Sequence, residues 1–475
     1  MCILFDAYFE FALEVIYNAF GWVLLTAVFV FIVFCVYVAF SKFGKIKLGD
    51  DSDEPEFRKI TWIAMLFSAA IGIALVFFGV AEPVLYYVDP PYGEGYTESA
   101  ATTAMQFVYL HWGISAWACY AVVGAALAYC KYRKKLPATL SAVFYPLIGD
   151  GIYGPVGKII DIFVVLAVVV GISSSLGFGV LQINSGMAYE WGLPNTFSIQ
   201  LIMIAVITVI YLLSAATGLK RGLKYLANTN FILALILVVF LLVFASTSNI
   251  FQIFFQGISD YTNNLLGMSF RMDPYGDGGW ISSWTLFYFG WWIAWAPFVG
   301  VFVARVSKGR TLREFMMGAL FIPVLVCFFW FAVLGGSALD LIHNQGHVAL
   351  AEVVAADETV ALFEFLSYFP FSSVMSVLAM VLIFIFFITA ADSAMFVIGM
   401  MNEYGIENPS NRIKIIWGIV ISGVAAILTF TGGIQGFESA LVATSLPMSI
   451  IMLLMCVCLY KMLHADYHQQ ETSKD

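Results

Sequence analysis

Apolar residues run through this chain in long unbroken blocks, not in the every-other-residue alternation of a strand. At about 1.5 Å of rise per helical residue, blocks of this length cross a hydrocarbon layer about 30 Å thick. Continuous blocks point to helices, because barrel strands would alternate. About eleven spanning helices are predicted, near 19–40, 61–87, 102–131, 158–182, 196–217, 229–247, 281–304, 315–337, 372–401, 413–431 and 436–462. Charge falls between them. All but Arg271 of the 22 Lys and Arg sit in alternate loops or in the tail. By the positive-inside rule those loops are cytoplasmic. The other loops carry acid, including Asp89, Glu94, Asp260, Asp340, Glu352 and Glu358. An odd helix count places the N-terminus outside and the C-terminus inside.

Composition narrows the class. The chain has 475 residues, 61% hydrophobic and 11% charged, with a mean hydropathy of +0.91. That balance excludes a soluble domain and makes this a polytopic membrane protein. The net charge of −9 is less informative than its distribution. The opening MCILFDAYFEFALE has acid and no base, unlike a signal peptide. The seven Cys lack metal-ligand spacing and read as free buried thiols. Basic runs such as KYRKK at helix ends are topology signals that also suit anionic lipid. No nucleic-acid partner is expected.

The candidate chemistry is aromatic. Residues 283–300 read SWTLFYFGWWIAWAPFVG. On a helix Trp284, Tyr288, Trp291 and Trp295 form one stripe, with Trp292 beside it. A second cluster, HWGISAWACY at 111–120, puts Trp117 and Tyr120 on one face. Trp112 points elsewhere unless the helix deforms at Gly113. Two such clusters either pack the core or form a cage of π-faces. A cage suits a cation that donates no hydrogen bonds, such as a quaternary ammonium.

Other polar positions are read more simply. The small-residue run SAAIGIA at 68–74 permits close helix contact or a locally unwound backbone. Thr389, Asp392 and Ser393 lie deep in an apolar helix. Glu82 beside Pro83 is placed nearer the outer interface, as a helix cap. His111 is read as a hydrogen-bonded structural histidine. Cofactor fingerprints and nucleophile–base pairs are missing, so no enzyme and no cofactor are expected.

These residues resemble the betaine/choline/carnitine transporter family. SWTLFYFGWWIAWAPFVGVFVARVSKGRTLREF carries the likeness, together with HWGISAWACY, PEFRKITWIAMLFSAAIGIALVFFGVAEP, SLGFGVLQINSG, KRGLKYLANTN and FITAADS. The matches keep family order from about Gly21 to Lys461. The resemblance implies an all-α membrane fold with two inverted five-helix repeats, at 61–248 and 281–463. An accessory helix and loop at 1–60, a connecting outer loop at 249–280 and a tail at 464–475 complete the chain. The family has twelve helices, so the first is expected to be missing here.

The resemblance also implies a function. A trimethylammonium solute such as glycine betaine, choline or carnitine would sit in a cage of Trp112, Trp117, Tyr120, Trp291, Trp292 and Trp295. Its carboxylate would meet backbone at Ala69, Ile71 and Gly72. Phe298 would line the inward path. An ion site would involve Ser68, Ile71, Phe386 and Thr389. A homotrimer in the plasma membrane is expected.

Three departures bear on that function. The family's Gly-x-Gly-x-Gly is Ala70-Ile71-Gly72-Ile73-Ala74 here, and Phe289 replaces the first Trp of its signature. The Thr-Ser pair of sodium-coupled members is Thr389-Ala390, and Ala390 offers no oxygen. The arginine of sodium-independent exchangers is matched by Asn230. Protons are therefore slightly favoured over sodium as the coupling ion. A substrate exchanger and a non-transporting sensor of the same ligands are the alternatives.

Overall fold

A computed structural model describes residues 2–70, 72–217, 220–276, 278–406 and 409–472, with side chains for all of these except 2–15, 18, 67–70, 216–217, 220–224 and 470–472. Among the described residues the chain is helical throughout, and ten helical segments are long and apolar enough to cross a membrane. The long helices start with α1 (Cys2–Phe40), α2 (Lys59–Ala70), α3 (Ile73–Val88), α4 (Glu98–Trp112) and α5 (Ile114–Ala128). Then come α6 (Pro155–Trp191), α7 (Phe197–Thr217), α8 (Lys220–Phe244) and α9 (Thr247–Ser269). The second half holds α10 (Phe287–Val306), α11 (Leu312–Leu339), α12 (Val348–Ala356), α13 (Ala361–Ser367), α14 (Ser372–Asn402), α15 (Asn411–Thr431) and α16 (Gly433–Thr472). The ten segments, with α2 and α3 as a broken pair, occupy the eleven predicted blocks. The chain is an all-α polytopic membrane protein.

Two of the blocks are divided. Block 61–87 splits into α2 and α3, and Gly72 between them is extended at φ −153° and ψ −178°. So the small-residue run interrupts its helix. Block 102–131 splits at Gly113, where φ is −86° and ψ −146°. The amide freed there is satisfied: Ile114 N–H donates to the Tyr261 hydroxyl at 3.3 Å. Tyr261 belongs to α9, an amphipathic helix where the sequence suggested an outer loop.

The loops sort by charge as predicted. Lys47 bridges Thr311, and Leu48 N–H donates to Arg310 O at 2.8 Å. Arg133 pairs with Asp51 at 2.7 Å. Asp466, near the end of α16, meets Tyr129 and Lys134. The first, third and seventh loops and the C-terminal end thus gather at one end of the bundle. At the other end Arg271, the exception in the charge count, lies over the Tyr92 ring at 4.5 Å.

Helix α5 packs tightly against α10. A Cβ on Gly300 would stand 2.7 Å from Val123 and 3.0 Å from the Gly124 nitrogen. The missing side chains let the two backbones approach, as small residues do in membrane bundles. That contact brings the aromatic cluster of α5 beside the stripe of α10. Meanwhile α3 is fixed on α11 by Trp330, whose indole donates to Leu75 O at 2.7 Å.

Candidate functional site

Trp112 ends α4, and the break at Gly113 turns its indole toward α10. It meets the Trp292 ring edge-on, with centroids 4.9 Å apart. Tyr120 also faces Trp292, at 6.4 Å, and Trp117 stands edge-on to Tyr120 at 5.2 Å. All four side chains are buried. So four of the six predicted cage residues converge, three from the first half of the chain and one from the second.

The other two are placed differently. Trp291 stacks along Trp292 at 5.4 Å but otherwise packs among Phe78, Phe178 and Phe287. Trp295 is partly exposed and touches Phe298 edge-on at 5.3 Å. A Cβ at Gly171 would lie 2.7 Å from Trp295, so α6 closes over that ring. The indole nitrogens of Trp291 and Trp295 are buried without a hydrogen-bond partner. Buried donors of this kind usually find an acceptor. The predicted stripe on α10 is therefore not one continuous stack. Trp292, one position off it, turns to the first half.

Behind these rings lies a polar knot. Glu82 Oε2 accepts from Trp112 Nε1 and from the Tyr288 hydroxyl, each at 2.7 Å. Glu82 Oε1 lies 3.1 Å from His111 Nδ1. His111 Nε2 lies 3.1 Å from Thr285 Oγ1, and Trp292 Nε1 donates to His111 O at 2.7 Å. Both Glu82 and His111 are 0% exposed. This corrects one expectation and bears out another. Glu82 is a hub in the core rather than an interfacial cap. His111 is hydrogen-bonded, as expected, but to a carboxylate. The signal for Glu82 was present in the sequence: an acid inside the apolar run GVAEPVLYY is costly unless it has partners.

The candidate ion site is only partly visible. Ser68 and Ala69 have side chains outside the described residues, and Ile71 lies outside them altogether. Thr389 Oγ1 donates to Ile385 O at 3.0 Å, within its own helix, and lies 3.1 Å from Phe386 O. Asn230 is buried with an unpartnered Oδ1 and carries no charge. On the basic side, a cleft at the ends of α5, α10 and α14 is lined by Leu127, Tyr132, Val301, Arg305 and Phe396. It lies one to two turns below Phe298 along α10.

Comparison with known proteins gives the chain a family. A family model described as BCCT, betaine/carnitine/choline family transporter, matches residues 4–468. The glycine betaine transporter OpuD of Bacillus subtilis is 46% identical over 94% of this chain and 88% of its own length. The ectoine/hydroxyectoine transporter of Virgibacillus pantothenticus is 40% identical over 96% and 91%. The osmo-independent choline transporter BetT1 of Acinetobacter baylyi is 37% identical over 95% and 87%.

Proposed function

This chain belongs to the betaine/carnitine/choline family of transporters, and from that premise we propose that it imports a trimethylammonium solute, glycine betaine first, by secondary active transport. It is a membrane transporter and not an enzyme. The observation that carries the substrate class is the convergence of Trp112, Trp117 and Tyr120 with Trp292. Buried π-faces attract a methylated ammonium at about 2 kcal/mol per desolvated face. A few faces then suffice for micromolar binding. Trp291 and Trp295 extend the set, and their free indole N–H groups suit a polar substrate atom. In this reading the substrate carboxylate meets backbone at Ala69, Ile71 and Gly72, where α2 and α3 part. The name of the 46% identical relative favours glycine betaine. Choline and carnitine share its headgroup.

Movement would follow alternating access, with segment 61–248 rocking against 281–463 around the cage. Phe298 and the cleft below it would form the inward path. We favour a proton over sodium as the driving ion. Ala390 offers no oxygen, so of that pair only the Thr389 hydroxyl could ligate sodium. A sodium site would have to draw on Ser68, Ile71, Phe386 and Thr389. We place the protein in the plasma (inner) membrane as a homotrimer in contact with lipid. A counter-substrate exchanger or a membrane sensor would use the same cage.

The test is uptake of labelled glycine betaine into proteoliposomes with proton and sodium gradients imposed separately. Uptake under an inward proton gradient without sodium, competed by choline, is the expected result. Binding without flux under any gradient would instead mean a sensor. Flux only against internal substrate would mean an exchanger.

A further inference from the structure

We propose that Glu82 and His111 form the proton-binding site of this transporter, set directly behind the cage; this rests on the proton-driven reading above. The pair is 0% exposed and lies inside the bundle. Its members are 3.1 Å apart, and no Lys or Arg is among the described partners of either. An intramembrane ionisable pair is expensive to bury and is retained where it acts.

The surroundings give both imidazole nitrogens a partner in either protonation state. His111 Nδ1 meets Glu82 Oε1 and, at 3.0 Å, the Tyr86 hydroxyl. His111 Nε2 meets the Thr285 hydroxyl. A hydroxyl both donates and accepts. With His111 neutral, Nδ1–H donates to Glu82 and Thr285 donates to Nε2, leaving the pair with one negative charge. With one more proton, Nε2–H donates to Thr285, which turns its own hydrogen away. The pair is then neutral overall. No other bond forms or breaks: the proton enters from one aqueous side and leaves to the other.

The site is also placed to link that proton to movement. Glu82 and His111 belong to segment 61–248, and Thr285, Tyr288 and Trp292 to 281–463. When the pair is negative, the Tyr288 hydroxyl is one of its charge-assisted donors. Pulling that donor away in a low-dielectric interior is costly. Protonation makes the imidazolium a stronger charge-assisted donor to Glu82, so losing the Tyr288 hydrogen bond then costs less and the two segments can separate. Both segments hold cage residues, so substrate and proton bias the same element.

The other groups around the pair are accounted for. Tyr86 and Tyr288 are the titratable neighbours, from α3 and α10. Phe107, Phe289 and Trp280 surround the imidazole and do not titrate. Glu358 acts on both tyrosines, and Glu438 on Tyr86, only through space.

The experiment uses the full chain in proteoliposomes with labelled glycine betaine. Glu82→Gln fixes the pair at zero net charge, with an amide nitrogen to face His111. It should lose proton-driven accumulation by about tenfold or more, while counterflow against internal betaine falls no more than about threefold. His111→Gln should behave likewise, and Glu358→Gln should keep both activities. In the wild type, betaine entry should alkalinise a weakly buffered external medium. Accumulation by Glu82→Gln equal to wild type would overturn the proposal. So would equal loss of accumulation and counterflow in both variants, since that marks a purely structural pair. Wild-type uptake driven by sodium alone, with no external alkalinisation, would overturn the coupling reading itself. If neither variant reaches the membrane, Thr285→Val, which removes the hydroxyl that meets His111 Nε2, carries the test: it should lower accumulation more than counterflow, and equal loss of both would overturn the site.

Discussion

The Trp292 indole donates to the carbonyl oxygen of His111 at 2.7 Å, joining the two halves of the chain at the wall of the cage. One side chain therefore supplies both a π-face and a tie. His111 O is exposed as an acceptor because α4 ends one residue later, at Trp112. The same break that aims Trp112 also frees the carbonyl that holds Trp292.

Replacing Trp292 should remove both contributions. Trp292→Leu loses a desolvated face worth about 2 kcal/mol and a hydrogen bond worth about 1 kcal/mol. The dissociation constant for glycine betaine should rise by about a hundredfold, read by calorimetry on purified protein. Trp292→Phe keeps a smaller face without the N–H and should fall between. If the leucine variant binds like wild type, Trp292 is packing and the cage must be drawn from other rings.

Much of this site can be read from the sequence, and the unread part has a physical cause. Helical spacing sets Trp117 and Tyr120 on one face, and Gly113 flags the deformation that brings Trp112 to them. The basic loops reveal which helix ends share a side. Local periodicity does not carry contacts between distant segments. Glu82 and Tyr288 are 206 positions apart, and no spacing rule joins them. The amphipathic α9 lacks the apolar run of a span, so it reads as loop until Tyr261 is seen closing the break at Gly113. Trp291 and Trp295 share the periodic stripe with Tyr288, yet α6 occupies their side of α10. A helix face does not name its neighbour.

The close approach of α5 and α10 should be intolerant of bulk. Gly300→Val would force side-chain carbons into Val123 and toward the Gly124 nitrogen, both within 3.0 Å of the new Cβ. Overpacking of this kind costs about 1–3 kcal/mol. A lower thermal midpoint is expected, with weaker betaine binding because Tyr120 moves from Trp292. An unchanged midpoint would mean that the helices separate without penalty there.

Glu358 gives a pH dependence on the outer side. Burial first, and Asp357 beside it second, push its carboxyl from the ordinary 4.5 up to about 7. The folded state then holds a proton that the unfolded chain has released. Stability is full below about pH 4.5 and falls as pH rises toward 7. Glu358→Gln removes the penalty, so it should raise the thermal midpoint at pH 8 and leave it unchanged at pH 4.5. A midpoint shift of equal size at both values would assign the effect to packing instead of charge.

The break at Gly113 offers the last test. Tyr261 accepts from the Ile114 amide, whose helical partner is lost where α4 stops. Tyr261→Phe keeps the ring against Phe328, at 5.2 Å, but strands a buried N–H. An unpartnered buried donor costs about 1–3 kcal/mol. The chain can relieve it by straightening through Gly113, and that would rotate Trp112 away from Trp292. Tyr261→Phe should therefore weaken betaine binding although Tyr261 touches no cage ring. Tyr109→Phe is the control, because it removes a hydrogen bond to Phe328 O and leaves the Ile114 amide as it is. It should lower the midpoint with a smaller change in binding. Equal effects of the two variants on binding would show that the break is set by Gly113 alone.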